Sequence, residues 1–409
     1  MAAVHGDVLY RTNSCMISIP SFAKINLGLK IGPARPDGFH ELRTVYQTLA
    51  LHDVIRVSVE AGEGIEIRCS DPRVPLDASN TCYKVAERVL AAVRQGRIVA
   101  GEGESQVPRL RSARNDNSDA NSGAAPLSSQ PGISGDLYGT AHAARVQHEI
   151  QSSARAKVVI EIEKHLPVQG GMGAASSNGI ATMLAMERVL GITLAAQEKL
   201  RLAAEVGSDL PLFLIGGAVL GVGRGEEVFP LADLPPLHVV AVTPPVGVST
   251  PRAFARWDEL NTLESALTGS RDAGTINEFS QSVFAWLSAG FPQMGPSKEA
   301  GPESASGVPA RGGDRAETPL LDLVRAGIEN DFEKVVFPEY PELREVKALL
   351  LREGAGYASL SGSGSALYGL FDSQDQAQAA AERMSAAGHA AVATRTLTRQ
   401  GYWDAVARG

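Results

Sequence analysis

Between Lys157 and Leu190 the chain passes from one kind of periodicity to another across a run of small residues. KVVIEIE (Lys157–Glu163) alternates apolar and polar positions, and Ile180–Leu190 spaces its apolar residues at helical intervals. The first pattern predicts a half-buried strand and the second a buried helix face. Between them lies His165-Leu166-Pro167-Val168-Gln169-Gly170-Gly171-Met172-Gly173-Ala174-Ala175-Ser176-Ser177-Asn178. A glycine-serine loop that opens a helix brings backbone N–H groups toward one point, where the helix end adds about half a positive charge. That is the makeup of a phosphate cradle, although such loops also serve packing alone. The chain contains no Gly-Lys pair, which excludes a Walker loop, and Ser176 stands where a dinucleotide fingerprint needs its third glycine. The cradle therefore belongs to another nucleotide-binding class.

With 409 residues, 44% hydrophobic and 21% charged, the composition is that of a globular protein of about two or three domains. A formal charge of −8 argues against a nucleic-acid partner. Three cysteines without C-x-x-C spacing favour neither disulfides nor a thiolate metal site, and point to a reducing cytoplasm. Residues 1–13 read as a disordered extension without an export signal. The most apolar run, Pro211–Gly223, is shorter than the ~18 to 20 residues of a membrane span. Residues near 100–155, with His142 and His148, and residues near 290–318 are rich in Gly, Pro, Ser and Asn or charge, and read as disordered insertions.

The remaining pattern is α+β without the regular alternation of a doubly wound sheet. Val54–Val59 and Gly64–Cys69 read as neighbouring strands, and Thr81–Gln95 as a helix burying Val85, Val89, Leu90 and Val93. A buried helix follows Gly191, carrying Leu194, Leu200 and Leu202. Farther on, His238–Thr243 and Ala366–Phe371 read as strands, Pro341–Arg352 and Ser373–Ala386 as helices.

Three further groups carry chemistry. Lys24 and Asn26, two apart, share a strand face opposite Ile25 and Leu27, so a cation and an amide point into one cavity. A lone lysine on a strand is ordinarily a solvated edge. Pro36-Asp37-Gly38 is a turn that presents Phe39 and His40, a pair suited to packing or to clasping a flat base. In Gly207-Ser208-Asp209-Leu210-Pro211-Leu212-Phe213, the acid is costly unless a cation or donor meets it; otherwise it caps the next segment. A second small-residue loop, Ser359-Leu360-Ser361-Gly362-Ser363-Gly364-Ser365, precedes a strand.

These blocks, in this order, resemble the GHMP superfamily, named for galactokinase, homoserine kinase, mevalonate kinase and phosphomevalonate kinase. The Lys-x-Asn and Asp-Gly-Phe-His block resembles the branch that phosphorylates the 2-hydroxyl of 4-diphosphocytidyl-2-C-methyl-D-erythritol, and Asn330-Asp331-Phe332-Glu333 and Pro338-Glu339-Tyr340-Pro341 are similar to it too. The resemblance covers most of residues 16–400 and implies a two-domain fold. It implies a ribosomal-protein-S5-domain-2-like domain over residues 14–222 and a ferredoxin-like domain over 223–409, with the active site expected between them. It implies Lys24 and Asp209 as the catalytic pair. ATP phosphates are expected on Pro167, Gly170, Gly171, Gly173, Ala174, Ser176 and Ser177, with Mg²⁺ bridging their oxygens and no residue assigned to the metal. Lys164 and Asn80 are implied as weaker nucleotide contacts. Asn26, Phe39, His40, Thr250 and Phe254 are implied for the cytidine substrate, with Phe39 and Phe254 sandwiching the base and His40 reading its edge. Ala174-Ala175 stands where many members have further glycines. The resemblance implies a cytoplasmic monomer or weak homodimer acting on a small molecule, with neither nucleic acid nor membrane as partner. Another small-molecule GHMP kinase would lack the Phe39-His40 clasp, and a non-catalytic nucleotide sensor would gain nothing from an acid-base pair.

Overall fold

The computed structural model describes residues 16–98, 156–168, 170–268 and 329–409. The extension over 1–13 and the insertions near 100–155 and 290–318, with His142 and His148, lie outside the described residues. β1 (Ile17–Ala34) and β2 (His40–Ala61) form a long antiparallel hairpin closed by the Pro36-Asp37-Gly38 turn. There Gly38 takes φ +83°, which favours glycine, and the Asp37 carboxylate accepts the Phe39 N–H at 3.1 Å. The far edge of β2 is shared: β4 (Ala156–Glu163) pairs with its second half and β5 (Ala218–Val222) with Thr44–Gln47.

β3 (Gly64–Cys69) pairs with β4 rather than with β2, so the two strands read as neighbours are separated by one. The reason is the crossover: α1 (Thr81–Arg94) carries the chain back so that β4 runs parallel to β3, which a tight hairpin cannot achieve. α1, α2 (Ala174–Leu190) and α3 (Ala196–Val206) belong to this half, and the first core joins Val85, Val89, Met183 and Met186 to Ile55, Val57 and Ile160 of the sheet. Leu202 is buried there, but Leu200 is 38% exposed. Two positions apart on a helix is about 200° around the axis, so both leucines cannot face the sheet.

The second sheet contains β7 (His238–Val242), β8 (Tyr357–Leu360), β9 (Leu367–Phe371) and β10 (Ala391–Arg395) in the order β10-β7-β9-β8, all antiparallel. α4 (Thr250–Thr268), α5 (Glu333–Glu339) and α6 (Pro341–Arg352) come between β7 and β8, and α7 (Gln374–Ala386) between β9 and β10. This is the ferredoxin-like pattern of strand, helix, two strands, helix, strand.

The two halves are interleaved. β6 (Glu227–Pro230) pairs with β5, so the boundary expected at Val222 falls inside a hairpin of the first sheet. Leu29 and Ile31 of β1 belong to the second core, whereas the last helix, α8 (Arg399–Arg408), returns to the first through Tyr402 and Val406. A third cluster packs the sheets together: Ala23, Ile25 and Leu27 of β1 meet Val239 and Ala241 of β7 and Tyr368 and Leu370 of β9. Lys24 and Asn26 therefore point the other way, toward the helices. Among the described residues no helix is long and apolar enough to cross a membrane.

Candidate active site

Lys24 is 3% exposed, and its ammonium donates to Asn26 Oδ1 at 2.7 Å and pairs with Asp209 Oδ2 at 3.2 Å. A lysine has three N–H donors, so these bonds leave one more. The strand-edge alternative is excluded by this burial. Asn26 is fixed in turn, because its Nδ2 donates to Thr44 Oγ1 at 2.8 Å and Thr44 donates to the Gly28 carbonyl at 2.7 Å. Across the hairpin, Asn26 lies opposite Tyr46, whose hydroxyl donates to Asp209 Oδ1 at 3.1 Å. Burial, then the charge of Asp209 and their hydrogen bond, push the Tyr46 phenol well above its usual pKa. Asp209 is about one-third exposed, at 33%, so it forms the open end of the cluster. The capping alternative for Asp209 fails, since the short helical turn Pro211–Leu214 has no side-chain cap.

The glycine loop is set against this pair. Gly173 begins α2 in the left-handed region with no side chain capping the helix, which leaves the first-turn N–H groups without intrahelical acceptors. A Cβ on Gly173 would lie 2.9 Å from Lys24 Cγ and 3.0 Å from Phe213 Cζ. The cradle and the lysine can approach only because that atom is missing. On the other side, the Ala366 N–H donates to Gly170 O at 2.8 Å and Ser361 Oγ to Gly171 O at 3.1 Å, so the second loop backs the first. A cavity of about 440 Å³ opens beside them, lined by Gly171, Val248, Ser249, Thr250, Pro251, Ser363 and Gly364. Thr250 and Ser363 exchange a hydroxyl bond of 2.6 Å at this cavity.

Two expected nucleotide contacts are committed elsewhere. Lys164 gives its ammonium to the buried Asp53 at 2.6 Å, and Asn80 caps α1 by accepting the Cys82 N–H at 2.8 Å while donating to Pro75 O. Asp53 itself is completely buried and also accepts the N–H groups of His165 and Leu166, each at 2.7 Å. Neither Asp53 nor Tyr46 was singled out from sequence. An acid inside the apolar run Leu51-His52-Asp53-Val54-Ile55 was the available signal, because such a group must find donors.

The aromatic residues are arranged differently from the expected sandwich. His40, 7% exposed, stacks on Phe254 with ring centroids 5.0 Å apart and an interplanar angle of 12°. Its Nε2 meets Asp258 Oδ1 of α4 at 2.7 Å, which draws the imidazole onto the Phe254 ring and covers that face. Phe332 meets Phe254 edge-on. Phe39 stands apart, 51% exposed, with the Arg224 guanidinium 4.9 Å from its ring centroid.

Asn330 secures the second loop by donating to Leu360 O and Gly362 O, each at 2.8 Å, and Glu333 accepts the Leu360 N–H at 2.9 Å. Every block that carried the resemblance, apart from Pro338–Pro341, thus bears on this junction of the two halves.

Family profiles of the GHMP kinases N terminal domain and the GHMP kinases C terminal match residues 138–217 and 317–390. The chain belongs to the GHMP kinase family. Its similarity extends to proteins named 4-diphosphocytidyl-2-C-methyl-D-erythritol kinase. That of Solibacter usitatus is 30% identical over 86% of this chain and 80% of its own length. That of Moorella thermoacetica is 28% identical over 93% of this chain and 99% of its own. Among solved structures, a 4-(cytidine 5'-diphospho)-2C-methyl-D-erythritol kinase superposes with a TM-score of 0.56 at 23% identity, covering 93% of this chain and 99% of that one. An L. major mevalonate kinase gives 0.55 at 14%, covering 94% and 97%. These likenesses show the fold.

Proposed function

We propose that this chain is an ATP-dependent kinase that phosphorylates the 2-hydroxyl of 4-diphosphocytidyl-2-C-methyl-D-erythritol, a step of non-mevalonate isoprenoid precursor biosynthesis. The observation that carries the kinase reading is the Lys24–Asp209 pair, 3.2 Å apart, beside the glycine loop that opens α2. The names of the relatives support the choice of substrate.

Phosphoryl transfer is catalysed chiefly by positioning and by cations near developing charge. Asp209 takes the proton of the attacking hydroxyl as that oxygen bonds to phosphorus and the bond to the leaving ADP breaks. Lys24, held by Asn26, turns its remaining N–H to the transferring phosphoryl. The first-turn N–H groups of α2, from Gly173 to Ser176, receive the nucleotide phosphates. Among the described residues no group of three or more His, Cys, Asp or Glu side chains is placed to hold a metal ion. Mg²⁺, a hard cation that accepts few protein ligands, would be held here chiefly through the nucleotide phosphates, with Ser176 in the first turn of α2 as the hydroxyl that would serve it. When bound it neutralises phosphate charge. Phe39 offers an exposed face to the cytosine, and His40 lies next along the chain. We assign the domain boundary to the segment between Pro230 and His238, after the last strand of the first sheet.

The test is ATP consumption by the purified chain with this substrate, beside homoserine and mevalonate. Asp209→Asn should bind both substrates and lose at least about a hundredfold in kcat. Turnover near normal in the folded variant refutes the assignment of the base.

A further inference from the structure

We infer that Tyr46 is a positioning residue for phosphoryl transfer, aiming the Asp209 carboxylate at the substrate hydroxyl. The inference rests on the reading of Asp209 as the base.

A carboxylate on a partly exposed turn is free to rotate unless both of its oxygens are held. Here Lys24 holds Oδ2 at 3.2 Å and Tyr46 holds Oδ1 at 3.1 Å, one from each strand of the long hairpin. The phenol ring is itself locked. Tyr46 is 2% exposed, its ring lies 5.4 Å from the Lys24 ammonium, and the β5–β6 hairpin closes around it. A Cβ on Gly221 would come within 2.5 Å of Tyr46 Cε2, and one on Gly225 within 2.5 Å of Oη. Two glycines thus make a slot the width of the ring, and the hydroxyl emerges at one point. A mere packing tyrosine would need neither a slot of this depth nor a carboxylate at its tip.

Burial and the adjacent charge keep this phenol protonated, so it can only donate toward Asp209. The charged groups facing the pair are Lys24 from β1 and Glu226 from the β5–β6 turn, the latter held by Arg224 Nε at 3.0 Å. Tyr46 is the neutral donor in that field. It fixes geometry without adding charge, and errors of an ångström at a reacting group are costly.

The experiment is steady-state kinetics of Tyr46→Phe in the full chain, each substrate varied in turn. We expect kcat to fall about tenfold while both KM values stay within about threefold. An unchanged kcat overturns the inference, and so does a rise in both KM values as large as the fall in kcat, which would make the ring structural. Should Tyr46→Phe fail to fold, Gly221→Ala displaces the same ring from the hairpin side, and an unchanged kcat there overturns the inference equally. Asp209→Asn run in parallel separates the two readings. If it turns over normally, the base is misassigned; if it is inactive while Tyr46→Phe is wild type, only the positioning role falls.

Discussion

Removing the Asp53 carboxylate should cost about half the stability of the protein and loosen the phosphate loop. Asp53 Oδ1 accepts two backbone N–H groups at 2.7 Å, and Oδ2 accepts Lys164 Nζ at 2.6 Å and Asn178 Nδ2 at 3.1 Å. Ser21 extends the network by donating to Asn178 Oδ1 at 2.5 Å. One group thus ties β2 to the exit of β4 and to the first turns of α2. In Asp53→Ala the Lys164 ammonium, 8% exposed, loses its counter-charge, a change that typically costs about 3 to 5 kcal/mol. The two orphaned N–H groups would add about 1 to 3 kcal/mol each if the loop stayed rigid. It will not, because moving outward lets water reach them, so the total should remain about 3 to 5 kcal/mol against a global stability of about 5 to 15. Lys164→Met likewise leaves a buried charge without its partner, but the carboxylate keeps three N–H donors, so the cost should fall at the lower end of the same range, about 3 kcal/mol. The double variant Asp53→Ala/Lys164→Met buries no charge at this position and should be more stable than Asp53→Ala alone. Urea unfolding of all three variants, compared at constant m, measures this. A loss below about 1 kcal/mol in Asp53→Ala, or a double variant no better than the single, refutes the reasoning.

Phe39→Ala should raise KM for the cytidine substrate by an amount corresponding to about 1 to 3 kcal/mol of base stacking and leave KM for ATP nearly unchanged. An effect on ATP alone would move Phe39 to the adenine side. Gly171→Ala should impair ATP use more than that of the second substrate, since φ is +82° and the added Cβ would press on the Ser361 carbonyl and lie 3.1 Å from Gly364 Cα. Equal effects on both substrates would show that the loop does not hold the nucleotide.

What the sequence made legible follows from how local each signal is. The strand, loop and helix around Gly173 could be read because periodicity and glycine content are properties of neighbours in the chain, and Pro341–Arg352 is a helix over the expected span for the same reason. Lys24 and Asn26 could be placed on one face because the alternation of a strand settles it. The partners were not legible. Tyr46 reaches Asp209 across 163 positions, and Asp53 reaches Leu166 across 113, through a sheet whose order places β4 between β2 and β3. His40 could be recognised as an aromatic neighbour of Phe39. That it would be drawn onto Phe254 by Asp258 depended on where α4 lies, 218 positions later.

The two glycine loops also explain why the site cannot be assigned to either half alone. The first belongs to the sheet of β1–β6 and the second to the sheet of β7–β10, yet each occupies space the other leaves empty. A Cβ on Gly364 would stand 2.6 Å from Gly171 N and 2.7 Å from Gly170 O, contacts with backbone that cannot swing aside. Asn330, bridged to Leu29 of β1, holds the second loop by two carbonyls, so the same residue registers the halves and shapes the cradle. The conformation of the phosphate loop is therefore a property of the docked pair of sheets. A chain whose halves separated would keep its Gly-Gly-x-Gly sequence and still lose the geometry that makes it a cradle.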